Sequence, residues 1–201
     1  MKGPIETEVK FFLLEPEEIR CRLHAFGAES LGRIFERNTV YDDGKESLRK
    51  RGGLLRLRRD RKILLTSKQP PEKPDPDVKA FLENEIEVSD ADATERILAF
   101  LGFFPRLVYE KWREEFVLPD ARAMLDELPF GPFLEIEAPP ERIRDLANQL
   151  GMPWERRIRK TYLDLFAEAK KNLGLSFADL TFENFAASPD ATRKMRPVWN
   201  P

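Results

Sequence analysis

The stretch Glu6-Thr7-Glu8-Val9-Lys10 decides how this chain of 201 residues is read. An extended strand turns alternate residues to opposite faces, so Glu6, Glu8 and Lys10 share one side. Ile5, Val9 and Phe11 point the other way. The apolar side is expected to pack, while two carboxylates and an ammonium face either bulk water or a polar cavity. The strands that follow decide between the two.

Working outward, Glu15-Pro16-Glu17-Glu18 opens a helix, since proline suits the first turn and acidic residues suit its positive end. Ile19, Leu23 and Phe26 recur on one face of it, and Gly27 ends it. Ile34 to Asp42 reads as a strand, with a turn at Asp43-Gly44. Leucines and arginines alternate in Leu54-Leu55-Arg56-Leu57-Arg58, and Arg59 to Lys62 turns the chain into Ile63 to Lys68, which makes a hairpin. Pro70 to Pro76 is a loop. Strand alternation returns in Glu85-Ile86-Glu87-Val88, in Val108 to Leu118 and in Phe133-Leu134-Glu135-Ile136-Glu137, with Asp126 between the last two after a turn. Asp90 is positioned to cap a helix carrying Ile97, Leu98 and Leu101. Further helices run from Pro140 to Gly151, with Ile143, Leu146 and Leu150 inward, and from about Thr161 to Asn172. Three helices close on Phe26-Gly27, Leu101-Gly102 and Leu150-Gly151, which hints at a repeated structural plan.

Composition narrows the classes. A chain of this length can bury most of its apolar surface around one core, so one domain is the default. Hydrophobic residues make up 41% and charged residues 35% of the chain, more charge than the typical quarter. Lysine and arginine total 34 against 36 acidic residues. The basic excess of a nucleic-acid binder is absent, so no nucleic-acid partner is expected. No apolar run has the length of a spanning helix or a signal peptide, so the expectation is a soluble cytoplasmic protein without a membrane partner. Cys21 is alone, which excludes an internal disulfide. His24, the only histidine, is read as a structural or surface residue, which argues against histidine-based triads and zinc-type catalysis.

The charges on the strands are sorted by sign. Glu6 with Glu8, Arg56 with Arg58, Glu85 with Glu87, Lys111 with Arg113 and Glu135 with Glu137 are like-charged pairs on common faces. A solvated sheet face intersperses its signs, because neighbouring like charges cost stability. Such pairs persist when a guest of opposite charge sits between them. Paired carboxylates suit Mg²⁺ or Mn²⁺, and arginine forks with lysines suit phosphate. The guest implied is a polyanionic phosphate carrying metal.

In this series the chain resembles the CYTH family, the triphosphate tunnel metalloenzymes, which include class IV adenylate cyclases and thiamine and inorganic triphosphatases. Glu6, Glu8 and Lys10 match the family's ExExK signature. Leu55-Arg56-Leu57-Arg58, Leu65-Thr66-Ser67-Lys68, Glu85-Ile86-Glu87, Lys111-Trp112-Arg113, Leu125-Asp126, Phe133 to Glu137 and Lys160 to Leu165 are similar to its later blocks. The resemblance covers about residues 4 to 173. It implies an α+β fold in which a closed eight-stranded antiparallel barrel carries charges inside and helices outside.

By the same resemblance, residues 1–173 form the tunnel domain. Residues 174–201 lie outside the resemblance and read as an extension whose Phe177, Leu180, Phe182 and Phe185 are expected to dock on this chain or on a partner before the prolines at 189, 197 and 201. Glu6, Glu8, Asp126, Glu135 and Glu137 would hold Mg²⁺ or Mn²⁺. Lys10, Arg56, Arg58, Lys68, Glu85, Glu87, Lys111, Arg113 and Lys160 would bind substrate. Lys10 and Arg58 would act in catalysis, Lys10 by accepting a proton from water or by orienting it. The partner is a small-molecule triphosphate: tripolyphosphate, a nucleoside triphosphate or thiamine triphosphate. A homodimer is compatible with this reading. Three functions stay open: a triphosphate phosphohydrolase, a class IV adenylate cyclase converting ATP to cyclic AMP and pyrophosphate, and a noncatalytic polyphosphate-binding module. The cyclase reading is weakened because the His-Phe pair that often precedes the signature in family cyclases has no counterpart in Met1 to Ile5. The noncatalytic reading is weakened because polyanion capture needs cations far more than carboxylates.

Overall fold

The computed structural model describes residues 5–73 and 75–188. Eight strands close on themselves: β1 (Ile5–Phe12), β2 (Glu29–Asp42), β3 (Leu54–Arg59), β4 (Ile63–Gln69), β5 (Lys79–Glu87), β6 (Phe104–Leu118), β7 (Ala121–Leu128) and β8 (Gly131–Glu137). Around the barrel the order is β1-β5-β4-β3-β2-β6-β7-β8, with β8 returning to β1 and every pairing antiparallel. Closure leaves no free sheet edge. The helices are α1 (Pro16–Ala25), α2 (Ser47–Lys50), α3 (Ala91–Phe100), α4 (Pro140–Gln149), α5 (Tyr162–Leu173) and α6 (Phe182–Ala186). Among the described residues no helix is long and apolar enough to cross a membrane.

The apolar core lies outside the barrel wall rather than within it. Val9 and Phe11, on the back of the charged strand, are fully buried and pack with Ile19 and Leu23 of α1 and with Ile143, Leu146 and Leu150 at α4. Ile5, expected on the same face, stands at the start of the strand and is exposed. Leu98 of α3 packs with Tyr41 and Leu57 over β2 and β3, while Ile97 and Leu101 turn to solvent. The packing is therefore inverted relative to a sandwich, and period-two alternation gives every strand one wall face and one lumen face.

The helix endings that looked like a repeat have a backbone cause. Gly27, Gly102 and Gly151 adopt φ values of +73°, +88° and +72°, a left-handed conformation that a side chain resists. The next residue's N–H then reaches back five positions, Ala28 to Leu23, Phe103 to Leu98 and Met152 to Ala147, at 3.1, 2.9 and 2.8 Å. This motif satisfies carbonyls the helix end would leave open. It recurs because it stops a helix sharply, with no need for a sequence repeat.

Two elements are longer than alternation alone suggests. β2 begins at Glu29 and β5 at Lys79, which brings Glu83 into the sheet opposite Lys68. The extension beyond α5 docks on its own chain: Leu180 forms a parallel bridge to Tyr109, with hydrogen bonds of 2.9 Å from Glu110 N to Leu180 O and from Leu180 N to Val108 O. Phe185 is buried against Phe130 and Phe166. Pro189, Pro197 and Pro201 lie outside the described residues.

Candidate functional site

Strand register assembles the site. The pairing of β1 with β8 sets Glu8 opposite Glu137 and Lys10 opposite Glu135, and that of β3 with β4 sets Leu54 opposite Lys68 and Arg56 opposite Thr66. The pairing of β6 with β7 sets Arg113 opposite Asp126. The result is a cavity of about 1140 Å³, lined on one side by acids of β1 and β8 and on another by cations of β3, β4 and β6.

On the acidic side, Glu6, Glu8 and Glu137 each offer a carboxylate oxygen within 4.8 Å of the others, a group that could hold a metal ion. Two acids directly opposite each other repel. Burial, reinforced by the charges of Glu135 and Glu6, pushes the Glu137 carboxyl well above the usual carboxylate range. Burial also raises Glu83 to about 7, with a hydrogen bond to Glu6 adding to it. For Glu6 burial acts in the same direction, yet hydrogen bonds with Glu83 and the Lys68 ammonium bring it down to about 2. Lys68 bridges the two acids, pairing with Glu6 and, at 2.9 Å, with Glu83. The grouped carboxylates of Glu6, Glu8 and Glu137 supply the oxygen donors that a hard divalent ion takes.

Lys10 is buried between Glu8 and Glu135, 3.1 Å from the latter, with its ammonium 5.0 Å from the centre of the Tyr162 ring. Burial favours loss of its proton, but the two carboxylates outweigh it and raise its pKa. Of the two roles expected for Lys10, accepting a proton is therefore disfavoured.

The cations differ in how tightly they are held. Arg56 donates to Tyr109 Oη at 3.0 Å and to Thr66 Oγ1 at 3.2 Å. Arg113 grips Asp126 through two parallel bonds, Nε to Oδ1 at 2.7 Å and Nη2 to Oδ2 at 2.6 Å. Lys111 and the Tyr162 hydroxyl donate to the same Oδ2 at 2.9 and 2.8 Å. Arg58 is held more loosely, 3.0 Å from Asp60 but 3.6 and 3.8 Å from Glu36 and Glu85.

The expected site residues Glu6, Glu8, Lys10, Arg56, Arg58, Lys68, Glu85, Lys111, Arg113, Glu135 and Glu137 all line this one cavity. Lys160 stands at its edge, half exposed and paired with Glu168. Asp126 is buried behind Lys111 and Arg113, and Glu135 faces Lys10 and Arg113, so both sit among cations rather than in the group of three acids. Glu87 pairs with Lys62 at 2.7 Å and does not line the cavity. Glu36, Glu83, Tyr109 and Tyr162 were missed. Glu83 continues the alternation of Glu85 and Glu87 and was readable, whereas Glu36 lies between Phe35 and Arg37 with no like-charged neighbour to mark it.

Comparison with known proteins agrees with this geometry. A family model described as the CYTH domain matches residues 4–162. A protein of Methanocaldococcus jannaschii, provisionally named an adenylate cyclase, is 25% identical over 173 residues, covering 80% of this chain and 98% of that protein. Among solved structures, the PH1819 protein of Pyrococcus horikoshii is 27% identical, with a TM-score of 0.70 over 81% of this chain and 98% of that one. A Hippeastrum protein described as an adenylyl cyclase candidate with a dominant triphosphatase activity shares the fold at 18% identity, with a TM-score of 0.60 over 84% of this chain and 96% of that one. With the family model spanning most of its length and the signature acids facing one closed tunnel, this chain belongs to the CYTH domain family.

Proposed function

We propose that the protein is a divalent-metal-dependent phosphohydrolase that binds a triphosphate in the barrel lumen. The observation that carries this reading is the opposition of charges across one cavity: Glu6, Glu8 and Glu137 within 4.8 Å of one another on β1 and β8, and Arg56, Arg58, Lys68, Lys111 and Arg113 on the remaining wall. A polyphosphate chain carries its negative charge in a row, and only a cavity offering cations along its length and a site for a counter-ion matches it at both walls.

Glu6, Glu8 and Glu137 would hold Mg²⁺ or Mn²⁺, which when bound neutralises phosphate oxygens and fixes their orientation. Arg58 is the cation best placed to transfer its hydrogen bonds to a phosphate, because its longer contacts to Glu36 and Glu85 leave its donors unsaturated. Arg56, fixed by Tyr109 and Thr66, supplies a rigid charge. Lys111 and Arg113 are aimed by Asp126, which Tyr162 holds in turn. Lys10, kept as an ammonium, orients the attacking oxygen or stabilises the charge on it. Phosphoryl transfer needs little covalent help from a protein, and positioning with charge neutralisation supplies most of the acceleration.

The assay is phosphate release from tripolyphosphate, thiamine triphosphate and ATP with Mg²⁺ or Mn²⁺, with cyclic AMP measured in parallel. Phosphate release from at least one of them supports the hydrolase. Cyclic AMP and pyrophosphate from ATP, without phosphate release, would replace it by the cyclase. Binding of tripolyphosphate without any turnover would leave the noncatalytic module.

A further inference from the structure

Among the cations of the wall lies a carboxylate that the polyphosphate reading leaves without a task. Glu36 of β2 is 1% exposed and does not line the cavity. Register sets it opposite Lys111, and sets Asn38, the next residue on the same face, opposite Arg58 and Tyr109. The Glu36 oxygens lie 3.6 Å from Lys111 Nζ, 3.6 Å from Arg58 Nη1 and 3.9 Å from Arg113 Nε. Those separations keep the Coulomb attraction but exceed hydrogen-bond length. Among the described residues, both carboxylate oxygens of Glu36 and both amide atoms of Asn38 are buried without a hydrogen-bond partner. Orphaned polar atoms in this number call for an explanation.

The contrast with Asp126 supplies one. Asp126 takes up donors of Lys111, Arg113 and Tyr162 at 2.6 to 2.9 Å, so those donors are spent on the protein itself. Glu36 faces three of the wall's cations and takes up none of their donors. Burial would raise its carboxyl, but Lys111, Arg113, Arg58 and Arg56 hold it at about 2, so it is an anion at neutral pH.

We propose that Glu36 is the fixed counter-anion of the cationic wall: it lowers the repulsion among Arg58, Lys111 and Arg113 while leaving to the guest the donors that Asp126 does not take, and so limits how much anionic charge the tunnel accepts. It is a specificity-determining residue that acts through its neighbours, and it touches no substrate. Its repulsion of an entering anion grows with the charge of that anion. Removing it therefore tightens binding unevenly, most for tripolyphosphate, less for pyrophosphate and least for phosphate. One unit charge several ångströms away in a polar interior corresponds to about a tenfold change in affinity for the most charged guest.

The inference rests on the polyphosphate reading, and the experiment separates the two. Calorimetric titration of phosphate, pyrophosphate and tripolyphosphate, without metal, is performed on the wild type, on Glu36→Gln and on Glu110→Gln. Glu110 is a control because it is also buried but pairs with Arg37 and the backbone N–H of Phe182. Expected are wild-type binding of tripolyphosphate, about tenfold tighter binding by Glu36→Gln, a gain that shrinks with anion charge, and no change in the control. In turnover, Glu36→Gln should lower KM without raising kcat. Absence of tripolyphosphate binding to the wild type overturns the polyphosphate reading and this inference together. Wild-type binding with an unchanged or weakened Glu36→Gln, or an equal effect in the control, overturns the inference alone. Should Glu36→Gln be too unstable to titrate, melting gives the same decision: tripolyphosphate must raise its Tm by more than it raises the wild type's, and an equal or smaller rise overturns the proposal.

Discussion

Replacing Asp126 by Asn is the sharpest test of how the wall is built, because four donors converge on one carboxylate that is 1% exposed. Asn preserves shape but has one acceptor oxygen and one donor nitrogen. Turned with its oxygen toward Lys111, Arg113 Nη2 and Tyr162, it sets its NH₂ against Arg113 Nε, and the opposite orientation forfeits three bonds. The favourable orientation loses a charge-assisted bond worth about 1.5–3 kcal/mol. It also leaves two buried cations short of a counter-charge, for which the cost of breaking a buried pair is about 3–5 kcal/mol in all. At roughly 2–4 °C per kcal/mol for a chain of this size, Tm should fall by about 10 °C.

The same substitution should lower kcat/KM because Lys111 and Arg113 lose their aim, and extra Mg²⁺ or Mn²⁺ should not restore it. Scanning calorimetry and a metal titration of phosphate release check both parts. A Tm loss under about 2 °C, together with recovery of activity at high metal, would refute the argument. That outcome would place Asp126 among the metal's ligands, as the family resemblance first suggested.

Glu137→Gln removes one member of the acid group, so activity should fall and be partly recovered by raising Mg²⁺ or Mn²⁺, read by metal titration of turnover. Arg58→Ala should reduce kcat/KM roughly ten- to hundredfold with no rescue by metal, since it removes phosphate donors and no metal ligand. Glu83, raised to about 7 by burial and its bond to Glu6, has a folded-state pKa above its unfolded value. Its contribution to stability is full below about pH 4.5 and is lost as pH rises through about 7. Metal-free wild type should lose stability between pH 5 and 8 in urea melts, and Glu83→Gln should flatten that loss. Truncation after Leu173 removes the buried Leu180 and Phe185, so it should lower Tm or alter association more than turnover per folded molecule. Lost turnover with unchanged folding would instead tie the segment to the site through Tyr109.

The fold was legible because alternation carried two independent signals on the same strands. The face of Val9 and Phe11 showed which side packs, and the sorted pairs pointed to a guest of opposite charge, while the closed lumen itself was implied only by the family resemblance. Both follow from period-two geometry, which a single sequence displays directly. Strand ends were less legible: β5 starts at Lys79 and β2 at Glu29 because pairing partners extend them, and pairing is invisible to local pattern. The division of the acids was not legible at all. Glu135 and Glu137 are two residues apart on one face, yet one is held well below the usual carboxylate range, against its burial, by Lys10, Arg113 and Lys111, and the other is pushed above it by burial and by Glu135 and Glu6. Which acid meets a cation is set by register across three strands.

That division bears on how the lumen can be so charged and still fold. Buried ions cost several kcal/mol each unless paired, and the barrel meets the cost unevenly. Around Asp126, donors and acceptors are matched within 2.9 Å, so that region forms a rigid floor without a ligand. Around Glu6, Glu8 and Glu137 the acids outnumber the cations they touch, and around Arg58 the cation is only loosely met. On the proposed function these two regions would gain most from a metal and a phosphate, because each guest would cancel a charge imbalance in the lumen. A metal and a polyphosphate bound together should therefore raise Tm by more than the sum of their separate increments, each guest adding the charge the other lacks. Strict additivity in a melting series with Mg²⁺, tripolyphosphate and both would mean that the two halves of the lumen do not share one guest.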